Sequence, residues 1–261
     1  MTLKQIQSLV RHEPITMLTC YDASFAAMMA RSNIDALLVG DSLGMVFQGH
    51  ATTLPVSLAD MIYHTGCVAR GAPNSFILSD LPFGSYQASP AQALESSAAL
   101  MAAGAQMVKL EGGEAMLETV SFLAARGIPV CAHVGLTPQS VHALGGYRVQ
   151  GKTIEDAERI LNEALSLEQA GANMIVLEAI PAELASRISD LLAIPTIGIG
   201  AGPNCDGQVL VLYDMLGLYW GSPPSFVRNF VENGVTSIEM AIQAYAHDVK
   251  TRRFPAKEHA F

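Results

Sequence analysis

Four acidic residues each stand at the end of a short apolar run. The runs read ALLVGD, FILSD, MVKLE and MIVLE, and they end at Asp41, Asp80, Glu111 and Glu178. A buried charge without a partner is costly, so carboxylates in such positions need a reason. If the runs are parallel strands, all four side chains emerge at one edge of one sheet. Carboxylates gathered in this way repel one another unless a cation lies among them, so the sequence predicts a metal site.

The types of residue narrow the choice of metal. Asp41, Asp80 and Glu111 offer only hard oxygen ligands, which suit Mg²⁺ or Mn²⁺ better than zinc. Three carboxylates and one divalent cation leave one negative charge, an anionic substrate adds a second, and Lys109 removes one. Magnesium also keeps several of its waters. We therefore expect at least one of the three carboxylates to reach the ion through water.

Three further residues are candidates for substrate contacts, each with a plainer alternative. Lys109 lies two residues before Glu111, so both side chains face the same way on a strand; Lys109 either holds a substrate carboxylate or forms a structural pair with Glu111. His133 either hydrogen-bonds a substrate oxygen or is a core histidine bonded to backbone. Ser42 follows Asp41 and either offers its hydroxyl and N–H to a carboxylate or is an ordinary turn serine.

A repeated unit positions these residues: a helical pattern, a small-residue stop and a short β-branched run. Such runs suit strands that are covered on both faces. Eight alternating units in 261 residues predict a (β/α)8 TIM barrel in the α/β class, with a doubly wound open sheet as the alternative. The predicted strands are 15–21, 36–40, 76–80, 107–111, 130–133, 174–178, 196–199 and 208–212.

The ends of the helices and of the chain can also be predicted. Ser57 with Asp60, Thr153 with Asp156, and Ser89 before a proline are typical of helix N-termini. No linker composition divides the chain, so residues 1–261 are predicted to form a single (β/α)8 barrel domain. An extra helix is expected at its N-terminal end and a helical tail at its C-terminal end, near residues 236–253.

Composition excludes several classes of function. The net charge of −9 disfavours nucleic acid or an anionic membrane as a partner. The apolar stretches are shorter than the ~20 residues needed to cross a bilayer, and the first residues lack a signal-peptide pattern. A cytoplasmic protein is expected. The cysteines form no CxxC pair, so reduced core cysteines are favoured over a redox or zinc role; they are Cys20, Cys67, Cys131 and Cys205.

These residues stand in segments that resemble the ketopantoate hydroxymethyltransferase family. The segments extend over about residues 17–220 and include TCYDASFA, VGDSLGMV, GHATTLPVSLADM, LSDLPFGSY, VKLEGG, HVGLTPQS, GGYRVQGK, IVLEAIP, IGIGAG and DGQVLVLYDMLGL. Several are long and rare, so the match is specific. The sequence departs from the family at Tyr213, where a histidine is expected, and in the passage 217–230. These departures concern the region after strand 8 and leave the carboxylates intact.

The resemblance implies a reaction and the residues that perform it. The family transfers a hydroxymethyl group from 5,10-methylenetetrahydrofolate to 3-methyl-2-oxobutanoate, with Mg²⁺, as the first step of pantothenate biosynthesis. The implied metal ligands are Asp41, Asp80 and Glu111. Substrate contacts fall on Asp41, Ser42, Asp80 and Lys109, with His133 as a further candidate, and Glu178 is the implied proton acceptor. A homodecamer is also implied.

Two other functions remain open at this point. A magnesium-dependent phosphoenolpyruvate mutase or isocitrate lyase-like enzyme could use the same barrel, metal and enolate chemistry. It would, however, be expected to have a nucleophilic cysteine in a Gly-rich loop and a basic cluster for phosphate. A catalytically silent barrel that binds a ketoacid or a metal would keep the ligands but lose the free base, whereas Glu178 is present.

Overall fold

Eight parallel strands close into a barrel in the order in which they occur along the chain. The structure is a computed structural model that describes residues 1–219, 221–232 and 234–261. The predicted (β/α)8 fold is confirmed, and the open-sheet alternative is wrong because β8 pairs with β1. The strands are β1 Ile15–Thr19, β2 Ala36–Val39, β3 Phe76–Asp80, β4 Met107–Glu111, β5 Val130–Gly135, β6 Met174–Glu178, β7 Thr196–Ile199 and β8 Gly207–Leu210.

Helices surround the barrel and extend beyond it at both chain ends. Trp220, within the passage that departs from the family, lies outside the described residues. The α-helices are α1 Leu3–Gln7, α2 Ala23–Arg31, α3 Leu43–Val46, α4 Leu58–Gly71, α5 Pro90–Ala103, α6 Leu117–Ala124, α7 Ile154–Gln169, α8 Ala182–Leu191, α9 Leu212–Met215 and α10 Ile238–Lys250. Short 3₁₀ turns cover Glu114–Met116, Pro138–Ser140 and Lys257–His259.

The helix starts predicted from the sequence are present. Ser57 and Asp60 form a reciprocal capping box at the start of α4. Ser89 accepts an N–H of the first turn of α5, which begins with a proline, and Thr153 caps α7 in the same way. These caps satisfy N–H groups that have no partner within the helix.

Apolar residues form two layers of core. One layer lies between the strands and the surrounding helices, and includes Leu37, Ile77 and Leu110. The other fills the barrel itself, with Met17 and Leu78 among its members. Since successive side chains of a strand point to opposite faces, neighbouring residues alternate between the two layers.

Polar side chains close the N-terminal end of the barrel in a repeated way. The residue just before each even-numbered strand accepts a hydrogen bond from a backbone N–H at the start of the preceding odd-numbered strand. The four pairs are Asp35 with Thr16, Gln106 with Ile77, Asn173 with Val130 and Asp206 with Thr196, at N···O distances of 2.8, 3.0, 3.1 and 3.0 Å. They give partners to backbone groups that the ends of the strands leave free.

No helix in the described part of the chain is both long enough and apolar enough to span a bilayer. The four cysteines are free, and Cys20, Cys131 and Cys205 are buried.

Candidate active site

The alternation of side chains along the strands places the ionisable residues inside the barrel. Met107 packs in the barrel interior, so Lys109 and Glu111, two and four residues later on β4, face the same way. The same spacing occurs on three neighbouring strands, in the pairs Leu78 and Asp80, Cys131 and His133, and Val176 and Glu178. The lower layers of the interior are thus apolar and the uppermost layer is charged.

These side chains meet in one cavity at the C-terminal end of the barrel. The cavity has a volume of about 1020 Å³. All seven residues proposed from the sequence line it: Asp41, Ser42, Asp80, Lys109, Glu111, His133 and Glu178. Active sites of (β/α)8 enzymes lie at this end of the barrel, so the cavity is the candidate active site.

Lys109 lies among the carboxylates as their nearest cation. Its Nζ is 3.0 Å from Asp80 Oδ1 and 3.8 Å from Glu111 Oε1. Burial lowers the pKa of this ammonium, but Asp80, Glu111 and Asp41 outweigh that effect and hold it above its usual value. Lys109 therefore remains charged, and its stronger structural partner is Asp80 rather than the Glu111 that the spacing suggested.

His133 bridges two glutamates rather than bonding to backbone. Its Nδ1 lies 3.5 Å from Glu111 Oε1, and its Nε2 lies 3.3 Å from Glu178 Oε2. Burial and the charge of Lys109 lower the pKa of the imidazole, but the two nearby glutamates raise it overall to about 9. The imidazole thus lies between Glu111 and Glu178 and is placed to hold the Glu178 side chain next to the other acidic residues.

Gln139, in the turn Pro138–Ser140, is a site residue that sequence reasoning missed. Its backbone N–H donates to Glu111 Oε2 at 3.0 Å, and its side-chain Nε2 donates to Asp41 Oδ2 at 2.8 Å. The amide oxygen accepts from the hydroxyl of Tyr86 at 2.7 Å, and the backbone N–H of Glu111 donates to that same hydroxyl. Gln139 therefore fixes two carboxylates from different strands relative to each other.

The site carries more negative charge than its own groups neutralise. Burial raises the pKa of Asp41 well above its usual value, and the charges of Asp80 and Glu111 raise it further. Burial would also raise the pKa of Glu111, but His133, Lys109 and the Gln139 N–H together bring it below its usual value. Asp41 is thus the carboxyl that gains most from an additional cation nearby.

The donor set fits a divalent ion of the magnesium type. Three carboxylates, each no more than 6% exposed, converge on one cavity and present oxygen ligands only. Within residues 1–219, 221–232 and 234–261, no group of three or more acidic, histidine or cysteine side chains is arranged to hold a metal ion as it stands. Asp80 instead pairs with Lys109, and Asp41 and Glu111 accept hydrogen bonds from Gln139.

Local contacts and unusual backbone angles occur near Ser42 and near Glu178, on opposite sides of the site. Ser42 donates to, or accepts from, the hydroxyl of Tyr21 at 2.9 Å, just before α3. Gly135 has a positive φ of 94°, and a methyl group there would collide with the carbonyl oxygen of Glu178. Ala179, which follows Glu178, has a φ of 46°, a strained value for a residue with a side chain. The close approach at Gly135 and the positive φ of Ala179 both lie next to Glu178, where β6 ends.

The fold and this site define a (β/α)8 barrel enzyme whose carboxylate-rich cavity suits a metal-assisted reaction of a small anionic acid. The model of the ketopantoate hydroxymethyltransferase family matches residues 1–257. The chain is 60% identical over 249 residues to 3-methyl-2-oxobutanoate hydroxymethyltransferase of Nitrosospira multiformis, covering 95% of this chain and 94% of that protein. It is 59% identical over 261 residues to the enzyme of the same name from Methylobacillus flagellatus, covering 100% and 98%. The chain belongs to the ketopantoate hydroxymethyltransferase family, whose members are transferases.

Two solved structures with a similar fold bear the names of other enzymes. A phosphonopyruvate hydrolase complexed with oxalate and Mg²⁺ matches with a TM-score of 0.62 and 12% identity, covering 81% of each chain. A putative phosphonomutase from Burkholderia cenocepacia matches with a TM-score of 0.66 and 16% identity, covering 83% of this chain and 95% of that one. At such low identity these matches describe the fold alone.

Proposed function

We propose that this chain transfers a hydroxymethyl group from 5,10-methylenetetrahydrofolate to 3-methyl-2-oxobutanoate and produces 2-dehydropantoate, the first step of pantothenate biosynthesis. The observation that carries the proposal is near-complete coverage by relatives of about 60% identity that bear this activity in their names. The cavity supports it, because every residue that the family pattern requires lines that one cavity.

Asp41, Asp80 and Glu111 are the residues that would hold a divalent cation, with Mg²⁺ as the proposed ion. When bound, the cation would draw electron density from the keto oxygen and stabilise the negative charge of the enolate. Lys109 would hold the substrate carboxylate, which it can do by turning from Asp80 while remaining charged. Ser42 would offer a further hydrogen bond to the same group.

Glu178 is the proposed general base. It lines the cavity, with Oε2 3.3 Å from His133 Nε2, and is not one of the three proposed metal ligands, so its carboxylate would accept the proton from C3 of the ketoacid. His133 would orient the Glu178 carboxylate. The one-carbon unit is joined to two nitrogens of the folate, N5 and N10, and both of these carbon–nitrogen bonds break. C3 of the ketoacid forms the new carbon–carbon bond, and water supplies the hydroxyl oxygen. The proton from C3 and one proton of the water end on the two folate nitrogens.

The proposal is tested by following the first step alone. In D₂O with Mg²⁺ and 3-methyl-2-oxobutanoate, the protein should exchange the C3 proton, and EDTA should stop the exchange. Glu178→Gln should lower the exchange rate by about 10²–10⁴-fold while leaving ketoacid binding in place. Glu183→Gln, the same change on an exposed helix, is the matched control.

Two results would remove the proposal. Exchange that survives in Glu178→Gln takes the base role from that residue. Failure of the wild-type protein to form 2-dehydropantoate from the ketoacid and 5,10-methylenetetrahydrofolate rejects the reaction itself. A lyase or mutase of the phosphonopyruvate type, whose fold is similar, would instead consume phosphonopyruvate or a related acid.

The family resemblance also supports a cytoplasmic homodecamer. Sedimentation equilibrium would then give a mass about ten times the 27.7 kDa of one chain. A monomeric mass would reject this assembly without affecting the proposed chemistry.

A further inference from the structure

The cavity is much larger than a small ketoacid requires. Its volume of about 1020 Å³ lies at the upper end of the range of pockets that take drug-sized ligands. The ionisable residues of the candidate active site occupy the sector formed by β2 to β6, because they lie at the C-terminal ends of those strands. The remaining sector, after β7 and β8, is lined by mainly apolar residues such as Val211, Pro223 and Phe226. This sector has room for a second, flatter and more apolar molecule.

One charged residue breaks this apolar sector. Asp214, in the short helix α9 after β8, lines the same cavity. Among the described residues, no side chain or backbone N–H hydrogen-bonds its carboxylate, and no cation pairs with it. Burial alone raises the pKa of this carboxyl to about 6. A partly buried carboxylate that lines a ligand cavity and has no donor among the described residues is open to donors from a ligand.

The chemistry of the donor side of the reaction supplies such a ligand. A reduced pterin carries an N3–H and a 2-amino group side by side on one edge of a flat ring. Two parallel N–H donors match the two oxygens of a carboxylate, as a guanidinium does. The faces of the ring are suited to apolar walls such as those provided by Phe226 and Pro223.

We propose that Asp214 is the residue that recognises the pterin ring of the folate, accepting hydrogen bonds from its N3–H and 2-amino group. The inference rests on the proposed function, which supplies the folate as the class of ligand. It places the folate against β8 and the ketoacid against β2 to β6, so that the one-carbon unit lies between them. Asp214 is thus a binding residue for the donor, separate from the residues that bind and deprotonate the ketoacid.

The test measures binding of tetrahydrofolate directly, without turnover, by anaerobic titration calorimetry on the full chain. Asp214→Asn keeps the size of the side chain but replaces one acceptor by a donor, so we expect Kd to rise at least tenfold. Asp190→Asn, the same change at an exposed position on α8, should leave Kd unchanged. A tetrahydrofolate analogue that lacks the 2-amino group should bind the wild-type protein about as weakly as tetrahydrofolate binds Asp214→Asn.

Each outcome decides the inference. If Asp214→Asn is folded by circular dichroism and binds tetrahydrofolate as tightly as the wild type, Asp214 does not recognise the pterin. If the variant does not fold, the analogue decides alone, because equal affinity of the wild type for both folates overturns the inference. Deuterium exchange by the wild type, which needs no folate, is measured in parallel. If the wild-type protein does not exchange the C3 proton, the proposed function is rejected. The titrations decide the role of Asp214 in either case.

Discussion

The two ends of the barrel treat their carboxylates in opposite ways. At the N-terminal end, Asp35 Oδ2 accepts from the N–H and hydroxyl of Thr16, both at 2.8 Å, and lies 2.7 Å from Lys250 Nζ. Asp206 Oδ2 likewise accepts from the N–H and hydroxyl of Thr196, at 3.0 and 2.9 Å. Each carboxylate there accepts hydrogen bonds from its own threonine, and a nearby acid, Glu13, pairs with the same Lys250 as Asp35.

At the C-terminal end, by contrast, carboxylates crowd together. Asp41, Asp80 and Glu111 share Lys109 as their nearest cation, and burial together with repulsion from the other two acids raises the pKa of Asp41. The acids at the N-terminal end stabilise the strand ends, because their oxygens have hydrogen-bond donors. The acids at the C-terminal end carry more negative charge than Lys109 neutralises, and this is the end at which (β/α)8 enzymes bind their ligands. Four substitutions test this difference between the two ends of the barrel.

The largest effect is expected for Asp80→Asn at the crowded end. This change removes a negative charge and a proposed ligand, so affinity for Mg²⁺ should fall by more than the ~10–100-fold typical of an outer-shell residue. Titration calorimetry with Mg²⁺ measures it, and Asp190→Asn is the control. Normal magnesium affinity in Asp80→Asn would contradict the ligand assignment.

Asp206→Ala at the other end should do the reverse. Thr196 is 0% exposed, and the substitution leaves its backbone N–H without an acceptor. The substitution also removes the acceptor of the hydrogen bond that the Thr196 hydroxyl donates. We expect the free energy of unfolding to fall by about 2–3 kcal/mol, measured by urea denaturation, with magnesium affinity unchanged. A stability loss below the error of the experiment would mean that these bonds do not hold the strand ends.

Asp214, in the cavity at the C-terminal end, should make the stability of the protein depend on pH. Its pKa rises on folding from 3.8 to about 6, so between those values the folded state binds more protons than the unfolded state. Stability therefore falls as pH rises through this interval and is constant above it. At about 1.4 kcal/mol for each pH unit between the two pKa values, the free energy of unfolding of Asp214→Asn should exceed that of the wild type by at most about 3 kcal/mol at pH 7.5. The gain should disappear near pH 4. An equal gain at both pH values would exclude titration of Asp214 as its cause.

The smallest effect is expected for Gln139→Leu. The side chain keeps its volume but no longer donates to Asp41, while the backbone N–H still donates to Glu111. Magnesium affinity should fall about tenfold, at the lower end of the outer-shell range. Gln243→Leu, on an exposed position of α10, is the matched control. Wild-type affinity in Gln139→Leu would show that the carboxylates hold their positions without it.

The strands could be predicted from the sequence because their signal is local. A β-branched run that ends in a carboxylate needs no information from elsewhere, and β3, β4, β6 and β7 begin and end where predicted. The ends of other strands differ slightly. β1 stops at Thr19 because Cys20 and Tyr21 lead into the cap of α2 at Asp22, and β5 continues to Gly135 because that residue pairs with Glu178.

The contacts around the carboxylates could not be predicted, because they join parts of the chain that only the closed barrel brings together. Gln139 lies in a polar turn and reaches Asp41, 98 positions away in the sequence. The hydrogen bond from the Val130 N–H to the Asn173 side chain depends in the same way on the register of neighbouring strands. Asp214 follows an apolar run much as Asp41 does, but only the cavity shows that its carboxylate has been left without donors among the described residues.

The central claim is that acidic side chains from three strands share one divalent ion that activates a 2-oxoacid. A crystal structure with Mg²⁺ and 3-methyl-2-oxobutanoate tests it most directly. It should contain one ion between Asp41, Asp80 and Glu111, with at least one of them bound through water and Lys109 turned toward the ketoacid. An ion held elsewhere in the cavity would contradict the account, and three direct carboxylate–metal bonds would reject the water-mediated contact.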